Sequence, residues 1–383
     1  MSEHPDGRTS IAEVADTLHE GLRGVAPDLV VLMTSFHHAR VLPAAAADLR
    51  RTLGAGHLIG GTTDTVMGDG RAPEGRPATV GLALHLPGAT VRGWRSTPRN
   101  PLPLSRPQDL PASIGLTEET AGVLVIGDPY TTPASRMVPL LCNCTAQTIP
   151  VFGGLLSGAS QPGGNCVLLD DLALNEGYAG VTFGNLDIDV ISSEGCKPIG
   201  EPLVVTKCDE NVIQELGGHP AIEALQATVE PLSSADQQLA RNGLLVGQAM
   251  DSNKIRFGRN DFELRAVMGV HPERGIAIAA VPRVGRTIQF HVREARAADE
   301  DLRLLLDAQS LSNTPPLAVL ATSCNARGRS FFGHEAHDAG VLRERLHKPP
   351  LVGFHAVGEF GPAGTSSMVH GQSIVAAMLR SRV

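Results

Sequence analysis

Residues 122–154 read GVLVIGDPYTTPASRMVPLLCNCTAQTIPVFGG. The run Gly122-Val123-Leu124-Val125-Ile126 is continuously apolar, the pattern of a strand buried on both faces. Residues 134–146 are predicted to be helical, and Ile149-Pro150-Val151-Phe152 is a second strand that runs into Gly153-Gly154. A strand, a helix and a strand in this order favour a right-handed parallel crossover.

The same order occurs twice more. Leu29-Val30-Val31-Leu32-Met33 is an apolar strand, an alanine-rich helix follows over 42–53 and ends at Gly54, and Leu58-Ile59 runs into Gly60-Gly61. Near the other end, Leu317-Ala318-Val319-Leu320-Ala321 is the strand, 335–346 the helix and Pro350-Leu351-Val352-Gly353 the second strand. Ser35 to Gly60 and Asp128 to Gly153 both span 25 positions, and Ser323 to Gly353 spans 30. Repetition of this kind is read before any motif.

Around these units, Ser10 to Leu22 has helical spacing, with Ser10 and Glu13 as a capping box. Residues 78–86 and 89–94 read as a hairpin turning at Pro87-Gly88, and five prolines over 98–111 mark a connector. Strands are expected over 167–169, 177–183 and 186–192. A β-rich stretch follows over 243–248, 262–268, 275–281 and 285–292, with a helix over 297–306. The pattern breaks at Leu216-Gly217-Gly218-His219-Pro220, where a domain boundary is expected, near 216–222. The fold class expected is α/β: repeated strand-helix-strand units with mixed sheets, in two domains.

The 383 residues, 42% of them hydrophobic, suffice for two cores. A net charge of −8, no basic run and 3% aromatics argue against nucleic-acid binding. Six cysteines without a Cys-x-x-Cys pair read as free thiols in a reducing compartment. The polar N-terminus lacks a secretory h-region, and no stretch approaches the roughly 20 apolar residues of a membrane helix. A cytoplasmic location away from the membrane is expected.

The densest chemistry lies in Ser323-Cys324-Asn325-Ala326-Arg327-Gly328-Arg329, directly after a buried strand. The C-terminal ends of parallel strands are where α/β proteins hold ligands. Arg327 and Arg329 could clamp a carboxylate or phosphate, with Gly328 adding backbone donors. Cys324 is the candidate nucleophile, with His334, His337, His355 and His370 as candidate bases, but no Cys-His-acid order is visible. His334-Glu335-Ala336-His337-Asp338 lacks the zincin spacing, so no metal is expected; Asp338 is either a further ligand contact or orients the helix that follows. Glu359, in Gly358-Glu359-Phe360-Gly361, either holds an ammonium or hydroxyl group from a glycine loop or is an exposed turn residue. Gly153, Gly154, Gly328, Gly358 and Gly361 are expected as backbone walls of the pocket. The double-glycine stretches fit neither nucleotide fingerprint, and no cofactor is expected.

Taken in order, several segments resemble the FIST family. These are Ile149–Gly158, Gly195-Cys196-Lys197-Pro198-Ile199-Gly200, Phe262-Glu263-Leu264-Arg265, Gln289–Glu294, Ser323–Gly328 and Gly358–Pro362. Ala326 stands where the family pattern leads one to expect glycine. The resemblance implies a FIST N-like domain over 28–216 and a FIST C-like domain over 220–379. It implies a sensory protein that binds a small ligand, an amino acid or carboxylate, and passes the signal to another protein, since no output segment is recognisable. Cys324, Asn325, Arg327, Arg329, Asp338 and Glu359 would form the ligand site. Two alternatives rank behind: an enzyme using Cys324 in acyl or amide chemistry, and a protein-interaction adaptor.

Overall fold

The computed structural model describes residues 1–382 apart from 255, 259, 260, 272 and 313. The chain forms two compact units. One comprises residues 1–193 and 303–383, and the other comprises residues 194–302.

The first unit has two sheets. The smaller runs in the order Thr79–Leu84, Leu29–Ser35, His57–Thr63, Val167–Leu169, Leu172–Leu174. The larger has ten strands and follows the path Asp187–Ser193, Ile374–Arg380, Ala318–Cys324, Leu351–Ala363, Val151–Leu156, Thr120–Gly127, Tyr178–Gly184, Thr90–Ser96. Val66–Gly68 and Ser366–His370 pair with Leu351–Ala363 off this path. All three strand-helix-strand units form parallel pairs: Leu29↔His57, Val123↔Val151 and Val319↔Leu351 open their registers.

Side-chain alternation explains why the strand sequences are apolar throughout. Val31 and Met33 point into a core shared with Leu124, Ile126, Leu320 and Val352, so the two sheets pack face to face. Val30 and Leu32 point outward, against Ile11 and Val14 of the helix Gly7–Leu22 and Leu42, Ala46 and Leu49 of the helix Leu42–Leu53. Val123 and Val125 likewise point outward, against Met137, Val138 and Leu141 of the helix Ala134–Cys142. Each apolar strand is therefore the middle of a sandwich, and period-2 alternation carries no polar face.

The second unit is a sheet in the order Cys196–Asp209, Thr287–Arg293, Leu244–Ala249, Phe262–His271, Gly275–Ile278, Val212–Leu216, His219–Pro220. All its pairings are antiparallel, and Cys196–Asp209 also pairs with Val212–Leu216. That last pairing closes six strands into a ring and leaves little free edge. Val205, Ile213, Val246, Ile276, Ile288 and Phe290 form its core, against which Ile222, Leu225 and Leu239 of the helices Ala221–Val229 and Ser234–Asn242 pack.

Several expectations are corrected. The expected hairpin over 78–94 is not one: Thr79–Leu84 pairs with Leu29–Ser35 in the smaller sheet, whereas Thr90–Ser96 pairs with Tyr178–Gly184 in the larger. Pro87-Gly88 turns the chain from one sheet to the other. The first helix starts earlier than expected, at Gly7, capped by Asp6, which accepts from the Thr9 N–H at 2.9 Å. Ser10 is buried inside it, and Glu13 accepts from Ser2 instead of closing a capping box. The break at 216–220 is a tight turn inside the second sheet, with Gly217 and Gly218 at φ 59° and 84°; Leu216↔His219 pair across it. By compactness the chain divides at 193/194 and 302/303.

Candidate functional site

The strand Ala318–Cys324 leaves the larger sheet at Cys324, whose N–H donates to the Ser373 carbonyl at 2.8 Å. The next N–H, of Asn325, donates to the Ala356 carbonyl at 2.9 Å. The chain then turns, and the Arg327 N–H closes back on the Cys324 carbonyl. A short helix, Arg329–Phe332, and the helix His337–Arg345 follow. This geometry drives the Arg327 side chain inward, where it is among the largest fully buried side chains of the protein.

Arg327 meets Asp338 there. Nε donates to Oδ2 and Nη2 to Oδ1, each at 2.9 Å. Ser323 Oγ donates to Oδ2 at 2.6 Å, and His337 Nδ1 lies 3.0 Å from Oδ1. The Arg327 guanidinium also sits over the Phe332 ring, 5.3 Å from its centroid, and Phe332 stacks on His337 at 3.6 Å. Burial alone would push the Asp338 carboxyl up. The Arg327 charge, with hydrogen bonds from His337, Arg327 and Ser323, outweighs it and holds the group well below the usual carboxylate range. His355 is buried nearby; burial lowers its pKa, and the Asp338 and Asp64 carboxylates offset that only in part.

Glu359 is the other buried carboxyl. It is fully inaccessible, in the strand Leu351–Ala363, opposite His370. Oε2 accepts from the Ser373 N–H at 3.2 Å and the Ser373 hydroxyl at 2.9 Å, while Oε1 is buried with no hydrogen-bond partner among the described residues. Burial raises its pKa to about 7, against the pull of Ser373, His370 and Arg327. The ladder shifts register between Ala356 and Glu359, a bulge over Val357 and Gly358, and leaves Val357 half exposed. Bulges of this kind commonly re-aim a side chain beside a site. The ends of two other parallel strands arrive at the same place. Thr63 Oγ1 donates to the His355 carbonyl at 2.6 Å, Ser157 Oγ donates to it at 2.5 Å, and the two hydroxyls lie 3.0 Å apart.

The structure thus separates the residues expected from the sequence. Arg327, Asp338 and Glu359 lie in this buried polar region; Cys324 is buried beside it, with Sγ 3.8 Å from Asn325 Oδ1, and Asn325 is exposed. Arg329 does not join Arg327 in a clamp. Its side chain is 65% exposed and pairs with Glu335 at 3.2 Å, and its N–H donates to Glu74. Glu359 is neither in a glycine loop nor exposed. Gly153, Gly154, Gly358 and Gly361 are strand residues that allow close packing: a Cβ on Gly153 would stand 2.1 Å from the Val125 carbonyl, and one on Gly361 2.6 Å from Val375. Of the five expected wall glycines only Gly328 lies in a loop, against the Glu74 carboxylate. Asp338 sits in the first turn of its helix, which begins without a side-chain cap. Ser323 and His337 both bond to Asp338, so they do not form the nucleophile-to-base-to-acid order of a hydrolase triad.

Sequence reading missed Ser373, Thr63 and Ser157. Thr63 and Ser157 follow the double glycines of the first two units, so the repeat itself was their signal. Ser373, a lone serine before the last strand, gave none. Among the described residues no group of three or more His, Cys, Asp or Glu side chains is arranged to hold a metal, and no helix is long and apolar enough to cross a membrane.

Comparison with known proteins gives a consistent result. The family model described as the FIST N domain matches residues 28–219, and that of the FIST C domain matches residues 221–362. The uncharacterized protein Rv0628c of Mycobacterium tuberculosis is 34% identical over 389 residues, covering 97% of this chain and 96% of its own. The uncharacterized protein Mb0898c of Mycobacterium bovis is 33% identical over 384 residues, covering 96% and 94%.

Proposed function

Because the chain belongs to the FIST family, whose domains are generally small-ligand sensory domains, we propose that it binds a small ligand at the polar ends of the parallel strands in the first unit. The ligand class proposed is an amino acid or a related amine, and the bound state is passed to a protein partner in intracellular signalling. One observation carries this reading: Glu359 Oε1 is a fully buried polar atom without a hydrogen-bond partner among the described residues. An orphaned buried polar atom is costly, and a ligand amine that takes the Glu359 proton would pair with the carboxylate as an ammonium. Arg327 has two of its donors committed to Asp338, so its part is to hold the loop rather than to clamp a ligand carboxylate. The bulge at Val357-Gly358, immediately before Glu359, is the route of entry proposed.

A thermal-shift screen of the purified chain against amino acids, dicarboxylates and nucleotides tests this. Amino acids or amines should raise the melting temperature in proportion to RT ln(1 + [L]/Kd). Glu359→Gln should abolish the shift, and Arg329→Ala should leave it intact. A shift untouched by Glu359→Gln, or none from any amino acid, rejects the reading.

A further inference from the structure

The second unit holds a groove of about 660 Å³ between the helix Ala221–Val229, the bend in the strand Cys196–Asp209 and the turn after Leu216. We propose that this groove is a separate ligand site, and that its ligand is an amphipathic organic cation, an ammonium or guanidinium group on an apolar body.

Size and lining fit a small molecule. The volume lies within the range of ordinary ligand pockets, and the walls are largely apolar: Leu203, Leu216, Ala224, Ala227 and Pro231. The polar side chains are few. Glu201 and Glu223 line the groove with His219 and Thr228, no lysine or arginine does, and neither carboxylate is in an ion pair among the described residues.

The backbone is shaped around this place. The pairing of Cys196–Asp209 with Thr287–Arg293 shifts register between Ile199 and Leu203, so Gly200-Glu201-Pro202 leaves the ladder as a bulge. Gly200 takes φ +64°, and a Cβ there would stand 2.4 Å from Thr228 Cγ2, so glycine lets the bulge press against the helix. Gln289 Nε2 pins it with a 2.6 Å bond to the Gly200 carbonyl. A regular strand would leave Glu201 in the ladder; the bulge carries it to the groove.

The helix gives Glu223, Ala224, Ala227 and Thr228 to the groove, while its larger apolar residues Ile222 and Leu225 pack on the core of the unit. The occupant with matching charge and apolar surface is the amphipathic cation. The proposal does not depend on the site in the first unit.

The test is isothermal titration calorimetry of the whole chain with decyltrimethylammonium and, separately, decyl sulfate, both below their micellar concentrations. The expected result is saturable one-site binding of decyltrimethylammonium and none of decyl sulfate. The double variant Glu201→Gln/Glu223→Gln should weaken it about tenfold or more by removing both opposing charges. Ala227→Trp, at an exposed helix position, should fill the groove and abolish it, while Glu359→Gln should leave it unchanged. Comparable binding of decyl sulfate, no binding of the cation, or indifference to the double glutamine variant overturns the proposal. The glutamine variants keep the test decisive should the tryptophan variant misfold.

Discussion

Arg327 and Asp338 are joined by two hydrogen bonds of 2.9 Å, with the arginine side chain fully buried and the aspartate 3% exposed. Removing one partner strands the other's charge in the core. Asp338→Ala is expected to cost about 3–5 kcal/mol, whereas Arg327→Met combined with Asp338→Leu recovers most of the loss. Arg329→Ala, which breaks an exposed pair, should cost under about 1 kcal/mol. Urea denaturation of the four proteins checks the order.

Glu359 and His355 titrate with opposite effects on stability. The folded Glu359 keeps its proton from pH 4.5 to about 7, where the unfolded residue has lost it, so its contribution falls as pH rises through that window. The total is about 3 kcal/mol at 1.4 kcal/mol per unit. The folded His355 resists protonation, so its contribution is present above pH 6.5 and falls as the pH drops below it. Glu359→Gln should therefore remove the falling contribution, so that stability between about pH 5 and 7 rises more steeply with pH than in the parent chain. Denaturation midpoints measured across that range decide it; an unchanged profile would show that Glu359 is not protonated in the folded state.

The second unit should be acid-labile on its own account. His291 is buried against Phe262 and Gly247, and burial lowers its pKa from 6.5 to about 4. Below pH 6.5 the unfolded form binds a proton that the folded form refuses, so about 3 kcal/mol is lost on reaching pH 4. Hydrogen exchange is the suitable readout, because Trp94, the single tryptophan, lies in the first unit. Exchange over 244–249 and 287–293 should accelerate towards pH 4 beyond the intrinsic pH effect, and His291→Gln should blunt it.

Two glycines with positive φ should respond differently to alanine. Gly153, at φ +116°, faces the Val125 carbonyl at 2.1 Å from the added carbon. Gly88, at φ +83°, has open space around it. Gly88→Ala is expected to cost about 1 kcal/mol from backbone strain alone, and Gly153→Ala more than about 3 kcal/mol. Equal losses in urea would refute the strand-contact account.

What the sequence revealed follows from what local pattern can encode. The three parallel units were legible because Val123–Ile126 and its counterparts are apolar on both faces and each is followed by a segment long enough for a helix before the next apolar run. The partner of a strand is a different matter. Pro87-Gly88 looks the same whether the chain turns back on itself or crosses to another sheet, so Thr90–Ser96 was placed beside the wrong neighbour. In the site, Arg327 and Arg329 are equivalent in sequence; only the turn at Cys324–Arg327 buries one and exposes the other. Glu359 was singled out among its glycines, but its burial depends on the sheet around it, and Ser373 meets it only through the turn that precedes the last strand.

The position of the strand Ile374–Arg380 sets the timing of folding. It lies between Asp187–Ser193 and Ala318–Cys324, within the larger sheet rather than at its edge. On the ribosome, residues 187–193 emerge long before their partner exists, and the whole second unit is made in the interval. The antiparallel ring of 194–302 can close as soon as its own strands are out, while the larger sheet must wait with Ile188 and Val190 unpaired. Such long-range pairing is slow and leaves an open edge meanwhile. The first unit is thus completed only when residues 374–380 reach the sheet, after the second unit can already have closed.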